Sequence, residues 1–166
     1  MHRLLTAATG TALAATMMAM PALAAKKVPY WASINVGEAM MRAGPGRNFP
    51  AEWLYKRRGL PVKVVQIYVD KRAHAEWRKV QDPDGAEGWM QANLLSETRT
   101  GLVTGDIRPL REKPDAQAAV VWRAEPGVVG KVTQCTGGWC NLDVGGKKGF
   151  VEVAHLFGVA ADETLP

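Results

Sequence analysis

The chain has 166 residues, of which 47% are hydrophobic and 22% are charged, and its formal net charge is +5. This composition excludes intrinsically disordered chains, because their apolar fraction is lower. It also excludes collagen-like chains, because the sequence has no regular glycine repeat. No interior apolar run is long enough to cross a bilayer, which also excludes a multi-pass membrane protein.

The N-terminal segment 1–24 is typical of an export signal. Arg3 provides a positive start, residues 4–20 are rich in Ala, Leu and Met, and Ala22-Leu23-Ala24 is a small-residue cleavage site. We therefore predict a signal peptide and a periplasmic or secreted protein with no stable membrane span after cleavage. The alternative is an uncleaved membrane anchor, which the small-residue cleavage site disfavours. Removal of the segment leaves 20 Lys and Arg against 16 Asp and Glu, an ordinary formal charge of +4.

The only two cysteines flank a pair of glycines in the segment Cys135-Thr136-Gly137-Gly138-Trp139-Cys140. This segment predicts a hairpin whose glycines take positive φ, with one cysteine on each strand. Opposed strand positions lie within disulfide reach, so we predict a Cys135–Cys140 disulfide, which contributes about 2 kcal/mol by loop entropy. A two-cysteine zinc site would need further ligands, and a thiol-exchange motif normally brings the cysteines closer in sequence.

After residue 25 helical periodicity is nearly absent. Short runs rich in Val, Trp and Ile alternate with Gly, Pro and Asp, a pattern that predicts an all-β barrel or sandwich. The segments 82–85 and 144–147 have the composition of tight turns. The predicted strands are residues 62–69, 77–81, 88–91, 128–135, 139–143 and 149–153.

Several elements occur twice along the chain. Arg42 and Arg111 each precede a proline by three residues, and the segment starting at Trp77 returns at Trp139. Gly88-Trp89-Met90 likewise returns as Gly149-Phe150-Val151. The second copy is shorter in its middle, and part of the difference is a three-residue turn that replaces the hairpin loop 70–76. A copy of about 60 residues has a marginal core by itself, so we expect the two copies to pack on each other.

Three segments of the first copy together resemble a bacterial SH3-like (SH3b) domain. They are residues 40–46 (Met-Met-Arg-Ala-Gly-Pro-Gly), 77–80 (Trp-Arg-Lys-Val) and 85–90 (Gly-Ala-Glu-Gly-Trp-Met). The second copy is degenerate, since residues 110–114 lack both glycines. The resemblance is to exported proteins that carry two such domains in tandem, and it implies an all-β fold of two small barrels. It places the first barrel at 30–98, the second at 101–158 and a C-terminal tail at 159–166.

Alternation along the strands predicts an aromatic pair on the more polar face of each barrel. Trp77 and Trp89 form the pair of the first barrel, and Trp139 and Phe150 form that of the second. One interpretation buries these pairs between the copies or under long loops. The other makes at least one pair the floor of a shallow groove for a peptide or glycan.

A basic and aromatic cluster at residues 53–59 supplies two more candidate ligand-binding residues, Trp53 and Tyr55. Its rings and cations could contact an acidic partner. The alternative is a solvated turn that leads into the strand at residue 62. A nucleic-acid partner is not expected, because the protein is predicted to be exported.

Candidate catalytic residues are sparse. His74 lies in a charged loop, where we expect it to be exposed, and His155 lies near the end of the second copy. Asp82, Asp84 and Glu87 cluster in a turn that lacks the ligand spacing of a known calcium loop. We predict no enzyme activity, no metal site and no cofactor.

These observations predict a non-catalytic, exported SH3-like binding module for peptidoglycan, a peptide or an envelope protein. The resemblance implies this role, because such domains often serve as cell-wall or peptide-binding modules attached to hydrolases. A structural or assembly protein of an envelope complex is the alternative, and an enzyme that acts on wall fragments is the third interpretation. The oligomeric state is not predicted.

Overall fold

The computed structural model describes residues 26–166, and the predicted signal peptide lies outside them. These residues form fourteen strands and two short 3-10 segments, Ala92–Leu94 and Val153–His155, with no α-helix among them. The all-β prediction is confirmed. The first seven strands are β1 (Tyr30–Ile34), β2 (Ala39–Arg42), β3 (Ala51–Tyr55), β4 (Pro61–Asp70), β5 (Ala75–Gln81), β6 (Glu87–Gln91) and β7 (Leu95–Ser96). The second seven are β8 (Thr100–Val103), β9 (Arg108–Arg111), β10 (Val120–Ala124), β11 (Val129–Thr136), β12 (Trp139–Val144), β13 (Lys147–Glu152) and β14 (Leu156–Phe157).

The six strands predicted from the sequence correspond to β4, β5, β6, β11, β12 and β13, and their ends agree within two residues. The strands that the pattern missed are the short ones, which have two to five residues each. Runs of that length do not show an alternation that can be distinguished from loop sequence.

The two sheets repeat one topology. The first has the order β3-β2-β6-β5-β4-β1-β7, and the second has the order β10-β9-β13-β12-β11-β8-β14, with antiparallel neighbours throughout. Each strand of the first sheet thus has its counterpart seven strands later. This correspondence confirms the duplication that the repeated segments predict.

Arg42 and Arg111 occupy equivalent places in the two sheets. Arg42 lies opposite Trp89, and Arg111 lies opposite Phe150. Each guanidinium donates a hydrogen bond across the loop that follows its strand: Arg42 Nη1 to the carbonyl of Phe49 at 2.8 Å, and Arg111 Nη1 to that of Ala118 at 2.7 Å. The arginine therefore holds the loop between the second and third strands of each copy.

The repeated glycine before Trp89 and Phe150 is required by a close contact between neighbouring antiparallel strands, β2 with β6 and β9 with β13, which we call the crossing. A Cβ on Gly88 would come within 2.5 Å of Met41 Cγ, and one on Gly149 would come within 2.7 Å of Leu110 Cβ. Strands β2 and β9 can therefore pack against β6 and β13 only where those strands have no side chain.

We expect Gly149→Ala to destabilise the protein by about 1–3 kcal/mol, because the added methyl group meets the main chain of Leu110 as well as its Cβ. Gly37→Ala is the matched control, since a Cβ there has nothing within 4 Å. Urea unfolding measures both free energies. Equal stability of the two variants would contradict the tight crossing.

Each copy encloses its own apolar core. The first core is centred on buried residues of β2, β4, β5 and β6: Met41, Val62, Val64, Val80 and Met90. The second contains Val103, Leu110, Leu142, Val151 and both cysteines.

The cysteines are joined in a disulfide, as predicted, and it is fully buried. They lie opposite each other on β11 and β12, with their Cα atoms 4.1 Å apart. The intervening turn is made by Gly137 and Gly138, whose φ angles are +55° and +80°. The bond therefore closes the β11–β12 hairpin inside the second core.

The two barrels pack on each other. Trp31 of the first meets Phe157 of the second edge to face, with ring centroids 4.9 Å apart. Leu102 and Val129 of the second barrel pack against the first core, and the Arg57 guanidinium donates a hydrogen bond to the carbonyl of Gly127. Mutual packing of this kind adds buried apolar surface that a barrel of this size lacks alone.

The segment after residue 158 is attached to the second barrel. Leu165 exchanges two backbone hydrogen bonds of 3.1 Å with Cys135. Glu163 accepts two hydrogen bonds from Arg99, at 2.9 and 2.8 Å, and these lower the pKa of its carboxyl, although its partial burial opposes the shift. Arg99 lies in the connection between the barrels, so one ion pair ties the tail to that connection.

We expect Glu163→Gln to cost about 1–2 kcal/mol at neutral pH, because it removes a partly buried, charge-assisted hydrogen-bond pair. A lowered pKa stabilises the fold above the ordinary carboxyl range, and this contribution is lost as the pH falls through the lowered value. The difference between wild type and variant should therefore shrink in acid. Urea unfolding at several pH values measures it, with the exposed Glu112→Gln as control, and a difference independent of pH would contradict the assignment.

Candidate ligand-binding surface

Trp77 and Trp89 lie on one face of the first sheet, opposite the core residues Val80 and Met90. They are diagonal neighbours, since Trp77 pairs with Gln91 and Trp89 pairs with Lys79. This is the face that alternation predicts for both rings. They differ in exposure, however: Trp77 is only 4% exposed, whereas Trp89 is partly exposed.

Trp77 is buried beneath the loop that connects β2 and β3. Its ring lines a cleft of about 390 Å³ together with Gly46, Arg47, Asn48 and Gln91. A second cleft of about 290 Å³ continues from it. The second cleft is lined by Met40, Arg42, Arg47, Trp77, Gln91 and Leu94. Trp77 and Arg47 therefore line both clefts, so the two clefts are continuous.

The loop over Trp77 takes its shape from the two glycines of the sequence motif. A Cβ on Gly44 would overlap the ring of Phe49, at 2.3 Å from its Cδ1. A Cβ on Gly46 would lie 2.5 Å from the Asn48 side chain. The Phe49 ring therefore folds back on the loop backbone, and Arg42 holds its carbonyl. This folding places Arg47 beside Gln91, with Nη2 and Oε1 3.5 Å apart.

An exposed aromatic corner lies beside the clefts. Tyr68 is 43% exposed and packs edge to face on Trp89, with ring centroids 6.2 Å apart. It also lies directly opposite Trp77 on β4. We call the surface formed by Arg47, Tyr68, Trp77, Trp89 and Gln91 the aromatic face.

Trp53 and Tyr55 do not belong to the aromatic face. Trp53 pairs with Met41 and Tyr55 with Ala39, so both are directed to the side of the sheet that carries the core. Trp53 is 59% exposed, because β3 is the edge strand of its sheet. The structure therefore brings two of the four predicted ligand-binding residues together and separates the other two from them.

Tyr55 has a structural contact that the sequence did not reveal. Its hydroxyl donates a 2.8 Å hydrogen bond to Oδ2 of the buried Asp82, whose Oδ1 accepts from the amides of Asp84 and Ala86. Burial, followed by the hydrogen bond and negative charge of Asp82, raises the pKa of the Tyr55 phenol well above its ordinary value. Tyr55 thus completes the hydrogen bonding of the β5–β6 turn.

We expect Tyr55→Phe to lower the free energy of unfolding by about 1–3 kcal/mol, because it leaves one oxygen of a buried carboxylate without its donor. Tyr68→Phe is the control, since the described residues give its hydroxyl no hydrogen-bond partner. Thermal or urea unfolding compares them. If both variants match wild type, the Tyr55–Asp82 bond contributes nothing.

Sequence reasoning missed Arg47 and Tyr68 in the first barrel and Trp122 in the second. Tyr68 could have been found from the β4–β5 hairpin, because it lies opposite Trp77. Trp122 follows Trp53 by the same 69 residues that separate Arg111 from Arg42, and it pairs with Leu110 as Trp53 pairs with Met41. No local signal indicates that Arg47 lies over Trp77.

The second barrel does not repeat the aromatic face. Ala116 and Ala118 stand where the first barrel has Arg47 and Phe49, and Thr136 stands opposite Trp139 where Tyr68 stands opposite Trp77. A cleft of about 640 Å³ lies between the barrels and has no aromatic side chain in its lining.

Other chemistry is limited in the part of the chain that the structure describes. No three His, Cys, Asp or Glu side chains of residues 26–166 come together as metal ligands. Over the same residues no helix has the length and apolar character to cross a membrane. His74 is exposed on its loop, as expected.

Two small antiparallel barrels of identical strand order, placed in tandem and packed together, define a tandem SH3-like protein. A family model described as bacterial SH3 domain matches residues 35–97 and again 104–158. The chain therefore belongs to the bacterial SH3 domain family, and the predicted resemblance is confirmed for both copies.

Among solved structures, the chain is similar to NlpC2 from Trichomonas vaginalis, with 9% identity and a TM-score of 0.34 over 80% of this chain and 49% of that one. It is also similar to NlpC1 from the same organism, with 9% identity and a TM-score of 0.33 over 80% of this chain and 47% of that one. The chain thus spans about half the length of each protein. No curated protein matches the chain.

Proposed function

We propose that the protein is a non-catalytic binding module of the cell envelope, and that its aromatic face binds peptidoglycan or a peptide of an envelope protein. Bacterial SH3 domains are binding modules, which supports the general role. Export to the periplasm or the cell exterior is supported by the leader-like segment 1–24 and by the disulfide, a bond that persists in oxidising compartments.

The observation that carries the proposal is the pair of joined clefts floored by Trp77 and bordered by Arg47. Small-molecule and peptide sites combine an apolar floor with a few polar groups of fixed direction. Here Arg47 offers a guanidinium for a carboxylate and Gln91 offers an amide beside the nearly buried Trp77, and the partly exposed Trp89 offers apolar ring surface next to the clefts. The peptides of cell walls and of proteins carry groups that these side chains can bind: small apolar side chains, amides and carboxylates.

The partly exposed corner extends the clefts along the sheet. Tyr68 and Trp89 present ring faces and edges beside the buried Trp77. A ligand that spans the corner and both clefts would contact all of these groups without any rearrangement of the core, since they lie on the opposite side of the sheet from Val80 and Met90.

Trp89→Ala and Arg47→Gln should each reduce retention on purified insoluble peptidoglycan by about tenfold, which corresponds to about 1.4 kcal/mol of binding free energy. Trp53→Ala is the matched control, because it removes an exposed tryptophan from the other side of the sheet and should leave retention unchanged. Cosedimentation with the wall material measures the bound fraction. The proposal fails if the Trp89 variant binds as wild type does.

Crosslinking in the intact envelope distinguishes the two kinds of partner. If the wall itself is bound, adducts should remain with the insoluble polymer and be lost in Trp89→Ala. A discrete protein adduct that depends on Trp89 would instead identify an envelope protein. An adduct that persists in Trp89→Ala would show that the aromatic face is not the contact, as expected for an assembly protein that binds through its sheet edges.

A further inference from the structure

The second barrel has a pocket of about 280 Å³ beside strand β10, remote in sequence from the aromatic face. We call it the β10 pocket. Its apolar lining consists of Leu110, Trp122, Ala124, Val128 and Val144, and Arg123, Glu125 and Lys147 also line it. A volume of this size accepts one side chain rather than a whole ligand.

The first barrel shows why the pocket is open. Ala124 pairs with Arg108 on β9, as Tyr55 pairs with Ala39 on β2, so Ala124 stands where the first barrel has Tyr55. By the offset of the Trp77–Trp139 repeat, Val144 stands where the first barrel has Asp82. Tyr55 packs on its core and bonds Asp82 in the first barrel. The second barrel has neither the ring nor the carboxylate at these places, and an apolar hole is open there.

Strand β10 also presents exposed apolar side chains next to this hole. It is an edge strand of its sheet. Its consecutive residues Val120, Val121 and Trp122 are 40%, 41% and 43% exposed. Edge strands are normally protected from pairing by charges or prolines. The first barrel has the charged Glu52 at the place of Val121, whereas the charge on β10 lies two residues later, at Arg123, after a register shift between Val120 and Trp122.

Two cations lie at the mouth of the pocket. Lys147 holds its ammonium 4.7 Å from the centroid of the Trp122 ring, and Arg123 is exposed on β10 itself. Neither forms an ion pair with a carboxylate within residues 26–166. With Glu125 as the only acidic group in the lining, the charge there favours an acidic partner.

We propose that the β10 pocket is a second binding site, specific for an extended acidic peptide. The peptide adds to β10 as a further antiparallel or parallel strand, inserts one aliphatic side chain between Trp122 and Ala124, and places a neighbouring carboxylate near Arg123 and Lys147. Main-chain hydrogen bonds to the free edge supply affinity, and the pocket supplies selectivity for the side chain. This site is separate from the aromatic face, so it goes beyond the function proposed above.

A random peptide library displayed on phage is the probe, selected on the whole mature chain. Wild type should enrich peptides in which an aliphatic residue has an acidic neighbour. A labelled consensus peptide from that selection should then bind Ala124→Tyr at least about tenfold more weakly in fluorescence anisotropy, because the new ring fills the pocket as Tyr55 does in the first barrel. Lys147→Glu, at an exposed position, tests the charge without refilling the pocket and should also weaken binding.

The matched control is Trp89→Ala, which should leave peptide binding unchanged, while Ala124→Tyr should leave retention on peptidoglycan unchanged. The two sites therefore fail or succeed independently. Lack of any enrichment by wild type, or equal peptide affinity of wild type and Ala124→Tyr, would overturn the proposal. So would a dimer of wild type in light scattering that Ala124→Tyr converts to monomer, since the occupant of the edge would then be a second copy of this chain.

Discussion

The close crossing of β2 over β6, repeated as β9 over β13, is the constraint on which the rest of the structure depends. The crossing strand must meet a glycine, Gly88 or Gly149, because a Cβ there would overlap a core side chain. The next residue, Trp89 or Phe150, is directed to the outer face and lies opposite an arginine. One short contact thus positions the core strand, the outer aromatic ring and the arginine.

The aromatic face follows from this crossing. Arg42 emerges where β2 meets β6 and holds the carbonyl of Phe49, which fixes the end of the loop. The glycines of the loop let the Phe49 ring pack on the backbone, and the exposed Arg47 lines the clefts together with Trp77. Residues of the sequence motif at 40–46 and of the loop that follows it therefore form one wall of the clefts beside Trp77.

The two barrels keep the same crossing and differ in what surrounds it. The first has a long β4–β5 hairpin, an arched loop and the Tyr55–Asp82 pair that fills the side of its core. The second has a two-glycine hairpin closed by a buried disulfide, a loop without Arg47 and an open space at Ala124. The two barrels therefore share one strand order while the surfaces around the crossing differ.

The packing between the barrels is a separate requirement. Trp31 against Phe157 and the Arg99–Glu163 pair connect parts of the chain that no repeat predicts. Small barrels bury a limited fraction of their surface, so mutual packing and the attached tail contribute area that neither copy supplies alone. The tail residue Leu165 also satisfies backbone groups of Cys135 at an otherwise free part of β11.

Local pattern in the amino-acid sequence was sufficient for the class of fold, the long strands, the duplication and the disulfide. Each of these depends on residues close in the chain: alternation along one strand, glycines in one turn, or two cysteines across one hairpin. The same alternation placed Trp77 and Trp89 on one face. The pairing of β2 with β3, which directs Trp53 and Tyr55 to the core side, joins two different strands and is not revealed by alternation along either one.

Only the tertiary structure decided which of these side chains are covered and which clefts are open. Trp77 is covered because a loop thirty residues away arches over it, and the β10 pocket is open because one alanine replaces a tyrosine whose partner lies in a different hairpin. Exposure is a property of what packs against a side chain, and those neighbours come from distant parts of the chain. The residue types that line a site can be read from the sequence, whereas the space between them exists only after the strands have closed.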